Sequence, residues 1–189
     1  MPVHQDDRRR RFELLALPHL DAAYNLARWL AGNTADAEDV VQEAYLRAYR
    51  YFDAFQGDNI KVWLLTIVRN CFLTWVKENR SGRLSFVAET PVAESAGVED
   101  TVWGSDPRDP EALLLDRIDS ETLGALMQRL PAEYREILLL REVEDLSYKE
   151  IATVTGVAMG TVMSRLSRAR DALRKLWMQQ AARENADGV

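Results

Sequence analysis

Apolar residues recur at helical spacing in several blocks, and the blocks are separated by breaks of different kinds. Phe12, Leu15, His19, Leu20, Ala23, Tyr24, Ala27 and Leu30 share one face of a predicted first helix, which the pair Gly32-Asn33 ends. Thr34 or Asp36 is then in place to cap a second helix, with Val41, Ala44, Tyr45, Ala48 and Phe52 on its inner face. Its outer face carries Asp39, Gln42, Glu43 and Leu46, a polar stripe with one apolar residue inside it. After the turn Gln56-Gly57-Asp58-Asn59 comes the cleanest periodicity in the chain, Ile60, Trp63, Leu64, Ile67, Val68, Cys71 and Phe72, which predicts a mostly core-facing helix. From Ser81 to Pro110 the periodicity stops, and Pro91, Pro107 and Pro110 mix with Glu89, Glu94, Glu99, Asp100, Asp106 and Asp109, the composition of a flexible acidic linker. Helical patterning resumes at Leu113 and runs through Leu123, Leu126, Met127 and Leu130. Pro131 starts another helix, at the first helical position where proline costs little, with Ile137, Leu138, Leu140 and Val143 for its core.

The last block reads as a helix-turn-helix. Ser147 with Glu150 three residues on is a capping box, Ile151, Ala152 and Val154 face inward, Gly156 supplies a left-handed turn residue, and Val157 buries between the two helices. In the second helix Val162, Leu166, Ala169 and Leu173 repeat at three- and four-residue spacing. That leaves Thr161, Met163, Ser164, Arg165, Ser167 and Arg168 on the opposite side. A helix presented this way fits a DNA major groove, with arginines on phosphates or guanines. A merely solvated basic face would explain the charges but not the capping box and turn glycine beside them.

Composition narrows the field. With 189 residues, 47% of them hydrophobic, the chain can bury one ordinary core or two small ones, and the pattern favours two. A net charge of −6 suits a DNA binder only if positive charge is local, as along Arg165 to Lys175. The single cysteine, Cys71, permits no internal disulfide and its place in an apolar stripe makes it a core thiol; with two distant histidines it makes no zinc cluster. His19 reads as a packing residue. No run is apolar enough for a membrane span, and the Arg8 to Arg11 cluster is not followed by a signal-peptide core, so a cytoplasmic protein is expected. No nucleophile, phosphate-binding glycine loop or metal cluster marks an enzyme, and no cofactor is expected. The expected fold is all-α: two small helical domains, 1–82 and 111–178, joined by a flexible acidic linker, 83–110, and followed by a polar tail, 179–189.

Asp36-Ala37-Glu38-Asp39-Val40-Val41-Gln42-Glu43-Ala44, then Val62-Trp63-Leu64-Leu65-Thr66-Ile67-Val68-Arg69-Asn70, then Leu130-Pro131 and Leu146 through Arg170 resemble, in that order, a bacterial sigma factor of the extracytoplasmic-function group. The resemblance implies a transcription initiation factor that binds core RNA polymerase and directs it to promoters, built from sigma regions two and four. It implies that Asp39, Gln42, Glu43 and Leu46 dock on the polymerase clamp helices, a polar rim around an apolar anchor. It places the melted minus-ten element against a loop and the following helix: Phe55, Gln56, Gly57, Asp58, Asn59 and Asn70 as a pocket for a flipped base, with Lys61, Arg69, Lys77 and Arg80 on the backbone. Trp75 is either core or a stacking platform. It places the duplex minus-thirty-five element against Thr161, Met163, Ser164, Arg165, Ser167 and Arg168, with Ala158 to Gly160 near phosphates. Many relatives carry a basic residue where Met163 stands, so an apolar contact is expected there.

The resemblance also implies a path for the linker through polymerase and an anti-sigma factor as inhibitor, which could hold the protein at the inner membrane face. A flexible segment of this length averages on the order of 30 Å end to end, whereas the two promoter elements lie roughly 50 to 60 Å apart. Polymerase has to hold the modules apart; in the free protein they can fold against each other. A helix-turn-helix regulator acting without polymerase would leave the Asp-Val-Val-Gln-Glu block and the Trp-Leu helix without a task. A sigma-mimicking adaptor would not need the arginine-bearing recognition helix.

Overall fold

A computed structural model of the chain describes residues 3–79 and 120–187; the acidic linker, Arg80 and Leu113 lie outside the described residues. The described residues are helical, with no strand among them. The first module comprises α1 (Val3–Ala16), a 3-10 turn (Leu17–His19), α2 (Leu20–Ala31), α3 (Thr34–Tyr51), a second 3-10 turn (Phe52–Ala54) and α4 (Ile60–Asn79).

The single first helix expected from the pattern is therefore two. Pro18 lies in the first turn of the 3-10 segment, where its missing N–H does least harm and its ring prevents a continuous α-helix. Leu20, expected inside, starts α2 and is 42% exposed. Gly32 ends α2 in the left-handed conformation (φ 80°), its N–H bonded to the Arg28 carbonyl. The cap of α3 is Asn33, not Thr34 or Asp36: Asn33 Oδ1 accepts the Asp36 N–H at 2.9 Å. Phe12 anchors α1 by meeting the rings of Tyr45, Tyr49 and Phe52 edge-on at centroid distances of 6.3, 5.2 and 5.2 Å. The Tyr45 hydroxyl donates to the Ala16 carbonyl at 3.0 Å, and burial pushes its pKa up to about 12.

The second module comprises α5 (Ser120–Gln128), α6 (Ala132–Leu138), a π-turn (Leu139–Val143), α7 (Tyr148–Thr155) and α8 (Met159–Asp187). Pro131 is the N-cap of α6, with extended backbone, rather than its first helical residue. Val143, expected in the core, is instead 60% exposed. The cause is the π-turn, in which the Glu144 N–H reaches back five residues to the Leu139 carbonyl at 3.0 Å. The extra residue per turn shifts the helical phase, so Val143 points out and the Glu144 side chain is buried.

Within the first module α2, α3 and α4 pack on one another; within the second, α6 and α7 pack on α8. The two modules also meet, α4 against α7 and α2 against α6. This second neighbour explains a departure from the single-face pattern on α4. Leu64, Val68, Cys71 and Phe72 are buried as their spacing requires, but Val62 and Leu65, off that stripe, are buried too, while Trp63 and Ile67 are half-buried. A helix covered from two sides keeps only a narrow polar strip, here Thr66, Asn70 and Lys77.

Candidate polymerase and nucleic-acid interfaces

The helix-turn-helix is built as its sequence requires. Ser147 Oγ accepts the Glu150 N–H at 3.3 Å while Glu150 Oε2 accepts the Ser147 N–H at 2.8 Å, so two otherwise orphaned donors are satisfied. Hydrogen bonds from the Ser147 hydroxyl and N–H hold the Glu150 carboxyl below the ordinary carboxylate range. Gly156 caps α7 at φ 71°, a conformation strained for any side chain, and its N–H bonds to the Ala152 carbonyl at 2.9 Å. Val157 is half-buried in the turn. On α8, Val162, Leu166, Ala169 and Leu173 are buried, and this fixes the rotation of the helix. Met163, Ser164, Ser167 and Arg168 are then exposed, with Thr161 and Arg165 half-buried at the edge of that face. Met163 is 49% exposed, an apolar side chain in the middle of a polar, arginine-bearing strip. Ala158, Met159 and Gly160 are exposed at the N-terminus of α8, whose first turn begins with the Val162 N–H bonded to the Ala158 carbonyl.

On α3 the inner residues Ala37, Val40, Val41, Ala44 and Ala48 are buried, several of them fully, and among the described residues the opposite side is left uncovered. Asp39, Gln42 and Glu43 are exposed there together with Leu46, which is 56% exposed. Arg47 bonds back to Glu43 one turn away, trimming the negative charge of the strip without covering Leu46.

The loop and the start of α4 form the third surface. Phe55 is half-buried against Trp63, ring centroids 5.0 Å apart, and Gln56, Gly57, Asp58 and Asn59 are exposed. Asn59 Oδ1 accepts the Val62 N–H at 3.2 Å, tying the loop to the first turn of α4. Lys61 and Arg69 are half-buried, whereas Asn70 and Lys77 are exposed. The loop leads directly into α4, which carries Lys61, Arg69 and Asn70; Lys77 lies two turns beyond Asn70. Trp75 is half-buried and stacks on Phe72 at 6.2 Å, a core-edge position.

Three glutamates of the second module pair with this surface; the sequence singled out Glu150 only as part of the capping box, and Glu136 and Glu144 not at all. Glu136 lies at an inward position of α6, four residues from buried Ala132 and Leu140, and its Oε1 accepts from Arg69 Nε at 2.6 Å. Burial pushes the Glu136 carboxyl above its ordinary range, against the pull of Arg69 and then of Arg165. Glu144, carried inward by the π-turn, takes Lys61, and Glu150 takes Asn59. A glutamate in an otherwise apolar inward stripe was the available signal for Glu136; Glu144 has none, because the π-turn sets its direction. His19 is half-buried within electrostatic reach of Lys61 and Glu144, and its pKa is lowered first by burial and then by Lys61. The Cys71 thiol is buried and its pKa raised by that burial, so it is a poor nucleophile. Among the described residues no group of histidines, cysteines and carboxylates could hold a metal, and no helix is long and apolar enough to cross a membrane.

Family comparisons agree with this layout. Residues 15–82 match sigma-70 region 2 and residues 120–173 match sigma-70 region 4. The RNA polymerase sigma-H factor of Pseudomonas aeruginosa is 35% identical over 169 residues, 88% of this chain and 86% of that protein. The extracytoplasmic-function sigma factor SigE of Mycolicibacterium smegmatis is 36% identical over 160 residues, 85% of this chain, and the chain spans 59% of SigE's length. Among solved structures, the sigma factor RpoE of Bartonella quintana, in complex with the anti-sigma factor NepR, aligns with a TM-score of 0.63 and 29% identity over 91% of this chain and 97% of RpoE. Two helical modules, the second ending in a helix-turn-helix, in the order region two then region four, are the architecture of a sigma-type initiation factor. The chain belongs to the extracytoplasmic-function group of the sigma-70 family, subunits that bind core RNA polymerase and direct it to promoters.

Proposed function

We propose that this chain performs the family's work through three separate surfaces and by binding alone. The α3 strip of Asp39, Gln42, Glu43 and Leu46 docks on core polymerase; the loop from Phe55 to Asn59, with Lys61, Arg69, Asn70, Lys77 and Arg80, holds the melted minus-ten element; the outer side of α8 reads the duplex minus-thirty-five element. The observation that carries this reading is Leu46. It lies 56% exposed in a polar strip opposite a closely packed face, in the same chain as a helix-turn-helix whose basic face is also uncovered. A regulator that reads duplex DNA by itself has no use for the first feature. An apolar residue rimmed by polar ones is what an interface centre requires.

In this reading Asn70, exposed on α4, serves promoter opening. A base leaving the stack costs a few kcal/mol, and an amide such as Asn70, which both donates and accepts, offsets that by pairing with the exposed base edge. Arg165 and Arg168 supply charge-assisted contacts upstream, and Met163 supplies apolar contact, as to a thymine methyl. The relative from Bartonella quintana is bound by an anti-sigma factor, which supports control of this chain by a partner of that kind. The protein then works in the cytoplasm, where core polymerase is, and a membrane-bound inhibitor would hold it at the inner membrane face. The test is a pull-down with purified core polymerase. The wild-type chain is expected to be retained, and Asp39→Arg with Glu43→Arg is expected to be lost while keeping its helical circular dichroism; retention of the double variant at wild-type levels refutes the assignment of α3.

A further inference from the structure

The seam between the modules joins the very groups assigned to opened DNA with carboxylates of the other module. Asn59 Nδ2 donates to Glu150 Oε1 at 2.6 Å, Lys61 Nζ donates to the Glu144 carbonyl and to its Oε2 at 2.8 Å each, and Arg69 Nε donates to Glu136 Oε1 at 2.6 Å. The partners are separated by 91, 83 and 67 residues, so nothing local enforces the pairing. Glu136 and Glu144 are the buried carboxylates among the described residues, and Glu136 also lies within electrostatic reach of Arg165 on the recognition helix. A buried carboxylate persists only where cations and donors compensate its lost hydration, and here the other module supplies them. A carboxylate presents to lysine, arginine and amide donors what a phosphate presents: paired anionic oxygens.

We propose that Glu136, Glu144 and Glu150 form an internal mimic of a nucleic-acid backbone, which folds the second module over the DNA-facing edge of the first and which melted promoter DNA must displace. The inference rests on the assignment of Asn59, Lys61 and Arg69 to DNA. It makes closure self-limiting: the chain away from polymerase masks the cationic edge of its first module, and separation of the modules exposes that edge. An inhibitor would then need only to hold a contact that the chain already makes.

The test uses the full chain, labelled with a donor and acceptor dye at the exposed positions Glu38 and Lys149, and a short fluorescein-labelled single-stranded oligonucleotide at fixed salt. Glu136→Gln with Glu144→Gln removes two charges from the seam; Asp6→Asn with Asp7→Asn removes two exposed charges on α1, outside it. If the closed form holds about nine tenths of the molecules, its loss tightens binding about tenfold. The seam variant is expected to lose energy transfer and to bind the oligonucleotide about that much more tightly than the control variant. In the wild type, saturating oligonucleotide is expected to lower energy transfer, a readout that needs no substitution to fold. Unchanged transfer in both experiments overturns the proposal, as does an opened variant that binds no better than the control. If the opened chain binds no oligonucleotide at all, the assignment of Asn59, Lys61 and Arg69 has failed and the mimic with it; failure of promoter recognition alone, with tight oligonucleotide binding, would leave the mimic standing.

Discussion

Truncation of Leu46 to alanine separates an interface anchor from a folding residue. In the free chain Leu46 is 56% exposed, so its loss opens no cavity and unfolding stability is expected to change by no more than about 0.5 kcal/mol. Docking on polymerase would bury the exposed part. Full burial of a leucine side chain stabilises by roughly 1.5 to 3 kcal/mol, and 56% of that is roughly 0.8 to 1.7 kcal/mol, a four- to eighteen-fold loss of affinity. Hot-spot residues at the centre of an interface exceed area arithmetic, so this is the lower side of the expectation. Titration of core polymerase into dye-labelled chain measures the affinity, and urea unfolding measures the stability. Leu14→Ala is the comparison, since Leu14 is 77% exposed on α1, away from the α3 strip. Equal affinities for the Leu46 and Leu14 variants would refute the reasoning, as would a Leu46 variant destabilised enough to explain its weaker binding.

Other substitutions probe the second module. Ser147→Ala removes the hydroxyl that accepts the Glu150 N–H and is expected to cost about 1 kcal/mol, lowering the melting temperature by about 4–8 °C for a module of this size, with Ser147→Asp restoring most of it. Leu166→Ala, at a fully enclosed site, is expected to cost about 2 to 5 kcal/mol in urea unfolding; a loss under about 1 kcal/mol would mean that α8 is not packed as described. Met163→Lys adds a cation beside the DNA and is expected to steepen the logarithmic salt dependence of promoter-duplex binding by about one unit, whereas an unchanged slope would place Met163 away from phosphates. Because Glu150 has its pKa lowered in the folded chain, its contribution is present above the ordinary carboxylate value and is lost as pH falls through the lowered one. Glu150→Gln is therefore expected to flatten the acid limb of the stability profile, and an unaltered limb in pH-dependent melting would contradict that.

The features legible in the chain were local ones. The capping box at Ser147 and Glu150, the left-handed Gly156 and the inward set Val162, Leu166, Ala169 and Leu173 are each decided by residues within a few positions of one another, and each stands in the structure as its sequence requires. The α3 strip was legible for the same reason, its inner face being uniformly apolar or small. Where a second contributor intervened, the pattern misled. Pro18 split the first helix although the periodicity runs across it, Asn33 outcompeted Thr34 and Asp36 for the cap, and the π-turn turned Val143 outward and Glu144 inward. Val62 and Leu65 are buried because α7 covers a side of α4 that its own sequence gives no reason to cover. The seam of Lys61, Arg69 and Asn59 with glutamates was illegible because each pair joins residues far apart in the chain, and charges on a helix face read equally well as solvated.

Run-off transcription on a fragment library of genomic DNA, with purified core polymerase and the purified chain free of any inhibitor, tests the account most directly. Discrete start sites that depend on the chain, and that disappear with Asp39→Arg and Glu43→Arg or with Arg165→Ala and Arg168→Ala, are the expected result. A transcript pattern identical with and without the chain would contradict it.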